Sequence, residues 1–190
     1  LPESSLKAMV PVSIRQEGDL DSGNAVAAIS ADLATNQADP AGRFRAIQAS
    51  VKAGREYFSG LTTKEIELLS LLMQSPSIVL APLGLVPRLP PYNVVISNVP
   101  GIPQTMYWNG ARLDGSYPLS IVVNGIALNI TLVTNNQNVD FGIIACRRSL
   151  PQVQRLIDYM ETSLQELEQA AGIKTQRKRK PKTSLGKPKT

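Results

Sequence analysis

The sequence predicts an α+β domain with a mixed or antiparallel sheet and helices on one face. Helical and strand-like segments lie in separate blocks instead of alternating strictly, and several strand-like segments are joined by short turns. No G-x-G-x-x-G segment occurs, which argues against a dinucleotide-binding fold. A chain of 190 residues is long enough for one domain with a sizeable core and a tail.

The first half of the chain predicts two strands followed by two helices. Residues 6–15 form an apolar run, and residues 24–33 are rich in small and β-branched residues, so each range predicts a strand. Asp39 followed by Pro40 is a favourable helix start, and it predicts a helix over roughly 40–58 that ends at Gly60. The expected apolar face of that helix consists of Phe44, Ile47, Val51 and Phe58. Thr62-x-x-Glu65 is a capping-box pattern and predicts a second helix, with Ile66, Leu69 and Leu72 on its apolar face.

From Tyr92 the apolar period changes to two. The pattern predicts strands at 92–98, 105–113, 116–123, 126–134 and 139–146. Asn124-Gly125 is a strong hairpin signal, and the polar run 135–138 marks another reversal. Ser149-x-x-Gln152 then predicts a helix over 150–171, with Gly172 as its C′ residue.

The amino-acid composition excludes several kinds of catalytic site. The chain contains no histidine, so it cannot hold a Ser-His-Asp triad, a Cys-His pair or a histidine metal site. A single cysteine, Cys146, excludes a cysteine-rich metal site and an internal disulfide. Acid–base chemistry at neutral pH would therefore need a histidine from another polypeptide.

The net charge of +5 belongs to the C-terminal tail. Eight of the 20 basic residues lie in residues 174–190, which contain no acidic residue, so residues 1–173 hold 12 basic and 15 acidic residues, a balance of −3. The sequence therefore predicts a folded region at 1–173 and a disordered basic tail at 174–190. No secretory signal and no membrane-spanning run are visible. The chain begins at Leu1-Pro2 without an initiator Met, which suggests part of a longer protein.

Two polar residues, Ser97 and Asn98, interrupt the first strand of the second half. A hydroxyl and an amide at the end of a rigid strand are suited to donating hydrogen bonds to a developing oxyanion. The alternative is that the strand ends here and that both side chains bond the turn at Pro100-Gly101.

Asn124, Gly125 and Asn129 are the candidate pocket residues that follow. Asn124-Gly125 by itself predicts only a hairpin turn. Asn129 and Thr131 lie on the next strand, where polar side chains either line a pocket or, more often, face solvent.

Two further features have both a functional and a structural interpretation. Cys146 precedes Arg147-Arg148, which would lower its thiol pKa, but the chain offers no base for it, and a buried structural cysteine at a strand end is the favoured interpretation. The basic tail would suit an anionic lipid surface or a nucleic acid, or it is simply a solvated end. It contains no aromatic residues, which argues against stacking on nucleic-acid bases.

Four segments in order go beyond generic pattern: N-V-V-I-S-N-V-P-G at 93–101, M-Y-W-N-G-A-R-L at 106–113, Y-P-L-S-I-V-V-N-G-I-A-L-N-I-T-L at 117–132 and F-G-I-I-A-C-R-R-S-L-P at 141–151. They closely resemble the C-terminal half of bacterial wax ester synthase/diacylglycerol acyltransferases. The segments M-V-P-V-S-I-R at 9–15 and G-N-A-V at 23–26 resemble that family in the same order. The resemblance covers nearly the whole chain except the tail.

The resemblance implies the C-terminal lobe of the two-lobed fold of CoA-dependent acyltransferases, which includes chloramphenicol acetyltransferase. In that family acyl-CoA and a long-chain alcohol or diacylglycerol meet between the lobes, and the second histidine of an HHxxxDG motif is the catalytic base. This chain lacks that motif, so its partner would be the missing N-terminal lobe and the chain alone would be inactive. The resemblance implies acyl-CoA as a co-substrate, no bound metal or prosthetic group, and a bacterial cytoplasmic protein that is peripheral to membranes or lipid droplets.

The resemblance also implies roles for the candidate residues. By analogy with dihydrolipoyl acyltransferases, Ser97 would steady the tetrahedral oxyanion with Asn98 as support, facing the other lobe's histidine. Asn124, Gly125 and Asn129 resemble a segment that lines the acceptor tunnel. The alternative function is a non-catalytic interaction module whose basic tail binds an anionic lipid surface.

Overall fold

The computed structural model describes residues 1–13, 26–62, 64–66, 68–69, 71–72, 82–83, 92–123 and 125–173. Among these residues, two strands precede the first helix: β1 (Lys7–Ser13), β2 (Val26–Asp32) and α1 (Pro40–Ser59). Five strands and a helix follow: β3 (Val94–Ile102), β4 (Tyr107–Trp108), β5 (Ala111–Arg112), β6 (Leu128–Asn135), β7 (Asn138–Ala145) and α2 (Arg155–Ala170). The predicted tail at 174–190 lies outside the described residues.

The main sheet has five strands in the order β2-β1-β3-β6-β7. β1 pairs with β2, and β6 with β7, in antiparallel ladders. The central pairs β1–β3 and β3–β6 are parallel. The predicted mixed sheet is therefore confirmed.

One face of this sheet, which we call the helix face, carries the helices. The in-register pairs on it include Ala8 with Val94 and Ile130 with Ile143. α1 packs closely on β2, because a Cβ on Gly54 of α1 would lie only 3.1 Å from Ile29 Cβ. α2 lies beside Phe141 and Ile143 of β7 across an apolar groove of about 680 Å³. α1 and α2 therefore lie on the same side of the sheet, as predicted.

The core lies between α1 and the first three strands of the sheet. Its buried apolar side chains form two adjoining clusters: Ala27, Ile29, Phe58 and Ile66, and Ala8, Ala31 and Val94. Alanines on the helix face leave room for α1 to approach the sheet, and removing these side chains from water is the main stabilising contribution. Phe44, expected on the apolar face of α1, is 47% exposed. It borders a groove shared with Leu164 and Leu167 of α2.

The predicted caps of α1 and of the helical segment that begins at residue 64 are present. The Asp39 carboxylate accepts hydrogen bonds from the Gly42 and Ala41 N–H groups at 2.8 and 3.3 Å, and Pro40 begins α1. The Glu65 carboxylate accepts hydrogen bonds from the Thr62 N–H and hydroxyl, both at 2.7 Å. Residues 64–66, 68–69 and 71–72 are helical, as the capping box predicted.

The last helix begins later than predicted. Ser149 does not cap a helix at 150, because the N–H groups of Ser149 and Leu150 both donate to the Cys146 carbonyl and close a separate turn. Residues 151–154 are turns, and α2 begins at Arg155. The predicted end is confirmed: Gly172 has φ of 73°, and the N–H groups of Gly172 and Ile173 bond the Gln169 and Glu168 carbonyls.

The predicted strands 105–113 and 116–123 are wrong. Residues 105–113 contain the small hairpin of β4 and β5, because Asn109 and Gly110 both adopt positive φ (47° and 82°), as a two-residue hairpin turn requires. Residues 116–123 form one isolated bridge, between Val123 and Ile126, and otherwise lie outside the ladders. Period-two alternation is present there because the segment is extended over the sheet, not because it is paired within it.

The first predicted strand of this half continues beyond Asn98. β3 reaches Ile102, so Ser97 and Asn98 lie within the strand and Pro100-Gly101 is not a turn. After an irregularity between Val99 and Ile102, the strand resumes pairing with β6 at Asn135. The Thr134 carbonyl oxygen occupies the space that a Cβ on Gly101 would need, so the glycine permits this close approach.

Candidate functional site

The second face of the sheet, which we call the open face, contains the candidate site. In-register side chains place Ser97 of β3 beside Thr131 of β6, and Thr131 beside Gly142 of β7. Asn129 lies two residues before Thr131 and shares this face. Ser97 is half-buried, and among the described residues its hydroxyl makes no hydrogen bond. The hydroxyl is therefore available to a group that approaches the open face.

Asn98 lies on the opposite side of the sheet from Ser97. Neighbouring strand residues point to opposite faces, and Asn98 pairs in register with Leu132 on the helix face. Asn98 is also exposed. The structure therefore does not bring the Asn98 side chain to the same site as the Ser97 hydroxyl.

An extended segment, residues 114–123, crosses the open face above β7 and β6; we call it the strap. Its Ser116 N–H donates to Asp140 Oδ2 at 2.7 Å, and the Asn135 side chain donates to the same oxygen at 3.2 Å. Two residues later the Pro118 carbonyl occupies the space beside Gly142 where a Cβ would stand. The strap is therefore in backbone contact with β7, and this contact requires glycine at 142.

A buried polar network attaches the middle of the strap to β6. The Thr131 hydroxyl donates to Asn129 Oδ1 at 3.0 Å, so the Ser120 hydroxyl, 2.9 Å away, must donate to Thr131 Oγ1. Asn129 Nδ2 completes the network by donating to the Ile121 carbonyl at 3.2 Å. Thr131 and Asn129 are only 3% and 7% exposed, so the expectation that they face solvent is wrong.

Ser120 is the functional candidate that the sequence analysis did not single out. The signal for it was the alternation of the strap, in which Ser116, Pro118 and Ser120 are half-buried and the residues between them are exposed. In an isolated strand, this alternation does not show which set of side chains faces the sheet. The direction of Ser120 follows only from the position of the strap over β6.

Gly125, one of the two remaining pocket candidates, lies just beyond the end of the strap. Gly125 has φ of 90° and occupies a tight turn in which the Ile126 N–H donates to the Val123 carbonyl at 3.0 Å. A left-handed conformation of this kind strongly favours glycine. Asn124 lies outside the described residues. The turn precedes β6, so Gly125 and Asn129 lie at the same end of the open face.

Cys146 follows the last residue of β7 and is half-buried. The Ser149 N–H and then the Ser149 side chain lower the pKa of its thiol, with the Arg148 N–H and the Arg148 charge acting in the same direction and burial opposing them. The predicted direction of the shift is confirmed, but its main cause is Ser149 rather than the arginine pair. The chain contains no histidine that could act as a base toward this thiol.

The described residues lack the side-chain cluster of a metal site and the helix of a membrane span. They contain no group of three or more His, Cys, Asp or Glu side chains that could hold a metal ion. No helix among them is both long enough and apolar enough to cross a membrane.

The family comparison connects this geometry to known proteins. Residues 22–168 match the family model described as the WS/DGAT C-terminal domain. The chain belongs to the WS/DGAT family. Its match extends from the segment before β2 into α2, and it includes β3, the strap and β6.

Individual relatives agree with this membership. O-acyltransferase WSD of Acinetobacter baylyi is 41% identical over 168 residues, which is 88% of this chain. A protein of Mycobacterium tuberculosis strain H37Rv whose name describes a diacylglycerol O-acyltransferase is 47% identical over 91% of this chain. The solved wax ester synthase/diacylglycerol acyltransferase from Marinobacter aquaeolei VT8 superposes with a TM-score of 0.78 at 39% identity over 91% of this chain. This agreement confirms the predicted fold.

This WS/DGAT chain spans little more than a third of these relatives. It covers 39% of the Mycobacterium tuberculosis protein, 36% of the Acinetobacter protein and 39% of the Marinobacter chain. The similarity is therefore to about the C-terminal third of these relatives, in agreement with the match to the WS/DGAT C-terminal domain.

Proposed function

We propose that this chain supplies the C-terminal lobe of an acyl-CoA:alcohol or acyl-CoA:diacylglycerol O-acyltransferase, which makes wax esters or triacylglycerols. One observation carries the proposal: in a WS/DGAT C-terminal domain, the half-buried Ser97 hydroxyl lies on the open face without a hydrogen-bond partner among the described residues. A half-buried hydroxyl without a protein partner keeps its O–H free to donate to a bound ligand. The proposed lobe is residues 1–173.

The proposed role of Ser97 is to bind the thioester carbonyl oxygen, which becomes negatively charged during the reaction. A base deprotonates the acceptor alcohol, the alkoxide oxygen attacks the thioester carbon, and the carbonyl oxygen becomes an oxyanion. Collapse of this tetrahedral intermediate breaks the carbon–sulfur bond and releases CoA as the thiol. The Ser97 hydroxyl would donate a hydrogen bond to the oxyanion, which is worth about 2.7–4 kcal/mol at comparable sites.

We assign the base to another lobe, because this chain has no histidine, the side chain most often used as a general base. The HHxxxDG motif of a second lobe would provide it, facing Ser97 across the open face. No bound metal or prosthetic group is part of the proposal, and acyl-CoA is a co-substrate. The role of Ser97 is thus to stabilise charge rather than to transfer protons.

The other candidate residues receive different roles. The side-chain amide of Asn129 is occupied by Thr131 and the Ile121 carbonyl, which favours holding the strap over direct contact with the acceptor. Gly125, with Asn124 before it, would line the acceptor tunnel at the end of the strap, where the absence of a side chain leaves space. Asn98 would act only through the backbone of β3, since its side chain lies on the helix face.

The test combines this chain with the N-terminal part of the Acinetobacter O-acyltransferase from which the matching region has been removed. Palmitoyl-CoA and hexadecanol or diacylglycerol are supplied, and released CoA is measured by a thiol reagent while the ester is identified by mass spectrometry. We expect ester only in the mixture, and about 100-fold less with Ser97→Ala. Ser97→Thr retains a hydroxyl and should preserve part of the rate.

Ser30→Ala is the matched control because Ser30 lies at the edge of the same sheet, in register with Met9, and is exposed. It should leave ester formation unchanged. Ester formation by the chain alone would contradict the proposal, since no base would then be needed from another lobe. An unchanged rate in Ser97→Ala would contradict the role of Ser97 and leave the family membership intact.

A further inference from the structure

The β4–β5 hairpin stands apart from the five-stranded sheet as a two-stranded sheet of its own. Each of its strands has two residues, and one further main-chain bond, from the Leu113 N–H to the Met106 carbonyl at 2.8 Å, closes its base. All residues from 107 to 112 are exposed. Because an isolated two-stranded hairpin is only marginally stable in water, this hairpin should open far more readily than the main sheet.

The turn at the tip of this hairpin consists of Asn109 and Gly110, whose φ angles are 47° and 82°. Among the described residues, neither the Asn109 side-chain amide nor the Gly110 N–H makes a hydrogen bond. No atom lies within 4 Å of the position that a Cβ on Gly110 would take. The side-chain amide carbon of Asn109 and the main-chain nitrogen that follows it are therefore both open to reaction.

We propose that Asn109 is a site of spontaneous deamidation. The Gly110 main-chain nitrogen, after losing its proton to hydroxide, attacks Asn109 Cγ. The new N–Cγ bond closes a succinimide ring, the Cγ–Nδ2 bond breaks, and Nδ2 leaves as ammonia. Water then opens the ring: cleavage at Cγ gives aspartate, and cleavage at the main-chain carbonyl carbon of Asn109 gives isoaspartate. No oxidant and no enzyme is required.

The weak support of the hairpin is what permits ring closure in the folded chain. The main chain at Asn109 must rotate before the Gly110 nitrogen can reach Cγ, because the turn holds both residues in a left-handed conformation. Local opening of the hairpin supplies this rotation. Glycine at 110 then places no Cβ in the path of the attacking nitrogen. The rate should therefore depend on how often the hairpin opens and reaches the geometry of attack.

Deamidation would change the hairpin permanently. Both products carry a carboxylate in place of the amide, and isoaspartate also lengthens the main chain by a methylene group. A two-residue turn has to keep Trp108 opposite Ala111, so the added atom would break this pair. The exposed Tyr107 and Trp108 side chains would then lose their fixed orientation.

The test incubates the full chain, folded and in urea, at neutral and at mildly alkaline pH. Peptide mapping by mass spectrometry assigns each converted asparagine by fragmentation, and chromatography separates aspartate from isoaspartate. We expect Asn109 in the folded chain to react within about tenfold of its rate in urea, because hairpin opening costs little. The reaction should be faster at the higher pH, since the attacking nitrogen must lose its proton. Asn109→Gln should remove it at this position.

Gln137→Gly is the matched control, because it places the same Asn-Gly dipeptide in the exposed turn between β6 and β7. Asn136 has φ of 55°, close to that of Asn109, but its N–H bonds the Ile102 carbonyl at 3.1 Å and its side chain bonds the Thr105 hydroxyl at 3.3 Å. The flanking strands have 8 residues each. In the folded variant, Asn136 should react at least about tenfold more slowly than Asn109, and the two rates should converge in urea.

Three results would overturn the inference. If Asn109 stays intact in the folded chain while it is converted in urea, the hairpin protects it. Equal rates at Asn109 and Asn136 in folded Gln137→Gly would mean that the dipeptide alone decides and the hairpin does not. Formation of aspartate without isoaspartate would indicate direct hydrolysis of the side-chain amide in place of ring closure.

Discussion

The Pro118 carbonyl oxygen occupies the space that a Cβ on Gly142 would need, which brings the strap into backbone contact with β7. Together with the Ser120–Thr131 hydrogen bond of 2.9 Å, this contact determines how close the strap lies to the open face. The same two contacts border the part of the open face that includes Ser97. Three predictions concern the contacts of the fold that do not depend on a substrate.

Gly142→Ala should destabilise the fold by about 1–3 kcal/mol, as expected when a methyl group is forced into a packed contact. The new Cβ would overlap the backbone of Pro118, so the strap must move away from β7. The free energy of unfolding is measured by urea denaturation. Gly60→Ala is the control, because no atom lies within 4 Å of its Cβ position, and it should be close to neutral. Equal stabilities for both variants would contradict the contact.

Thr131→Val should cost about 1–3 kcal/mol, because it preserves shape but leaves the Ser120 hydroxyl and Asn129 Oδ1 without their partner in a buried site. The measurement is again urea denaturation. Combining it with Ser120→Ala should give less than the sum of the two single effects, because both variants remove the same hydrogen bond.

Thr134→Val provides a control on the same strand, since the Thr134 hydroxyl bonds no described side chain. It should change stability little. Additive effects of the Thr131 and Ser120 substitutions would show that the two hydroxyls are not coupled.

Glu65→Gln should change how the free energy of unfolding depends on pH. The Thr62 N–H and then the Thr62 hydroxyl stabilise the carboxylate, so they lower the Glu65 pKa below its usual 4.5. The stabilising contribution is therefore fully present above pH 4.5 and is lost as the pH falls through the lowered pKa of the folded state. The wild type should exceed Glu65→Gln in stability at neutral pH, and the difference should disappear at low pH.

The measurement is the urea midpoint from pH 7 to pH 3. Glu3→Gln, at an exposed position near the N-terminus, is the control and should follow the wild-type curve. A constant difference between wild type and Glu65→Gln across this range would show that the capping carboxylate does not titrate as described.

Short-range chemistry explains why much of the fold could be predicted from the sequence. Asp39 with Pro40, Thr62 with Glu65, and Gly172 act on backbone groups within a few residues, so their sequence patterns were sufficient. The Asn109-Gly110 turn carried the same kind of signal, and including it would have replaced the strand predicted at 105–113 by a hairpin. Successive side chains of a strand point to opposite faces. Once Ser97 and Asn98 are both placed within β3, their side chains must therefore lie on different faces of the sheet.

By itself, the sequence determined that the fold is α+β, that the family is WS/DGAT and that this chain contains no histidine base. Only the tertiary structure decided that residues 114–123 form a strap rather than a strand, and that Asn129 and Thr131 are buried beneath it. The reason is physical: alternation reports that a segment has two different sides, but its partners lie 8–24 residues away in the contacts Asn129–Ile121, Ser120–Thr131 and Ser116–Asp140. Long-range contacts of this kind decide which side faces the sheet and which side remains open.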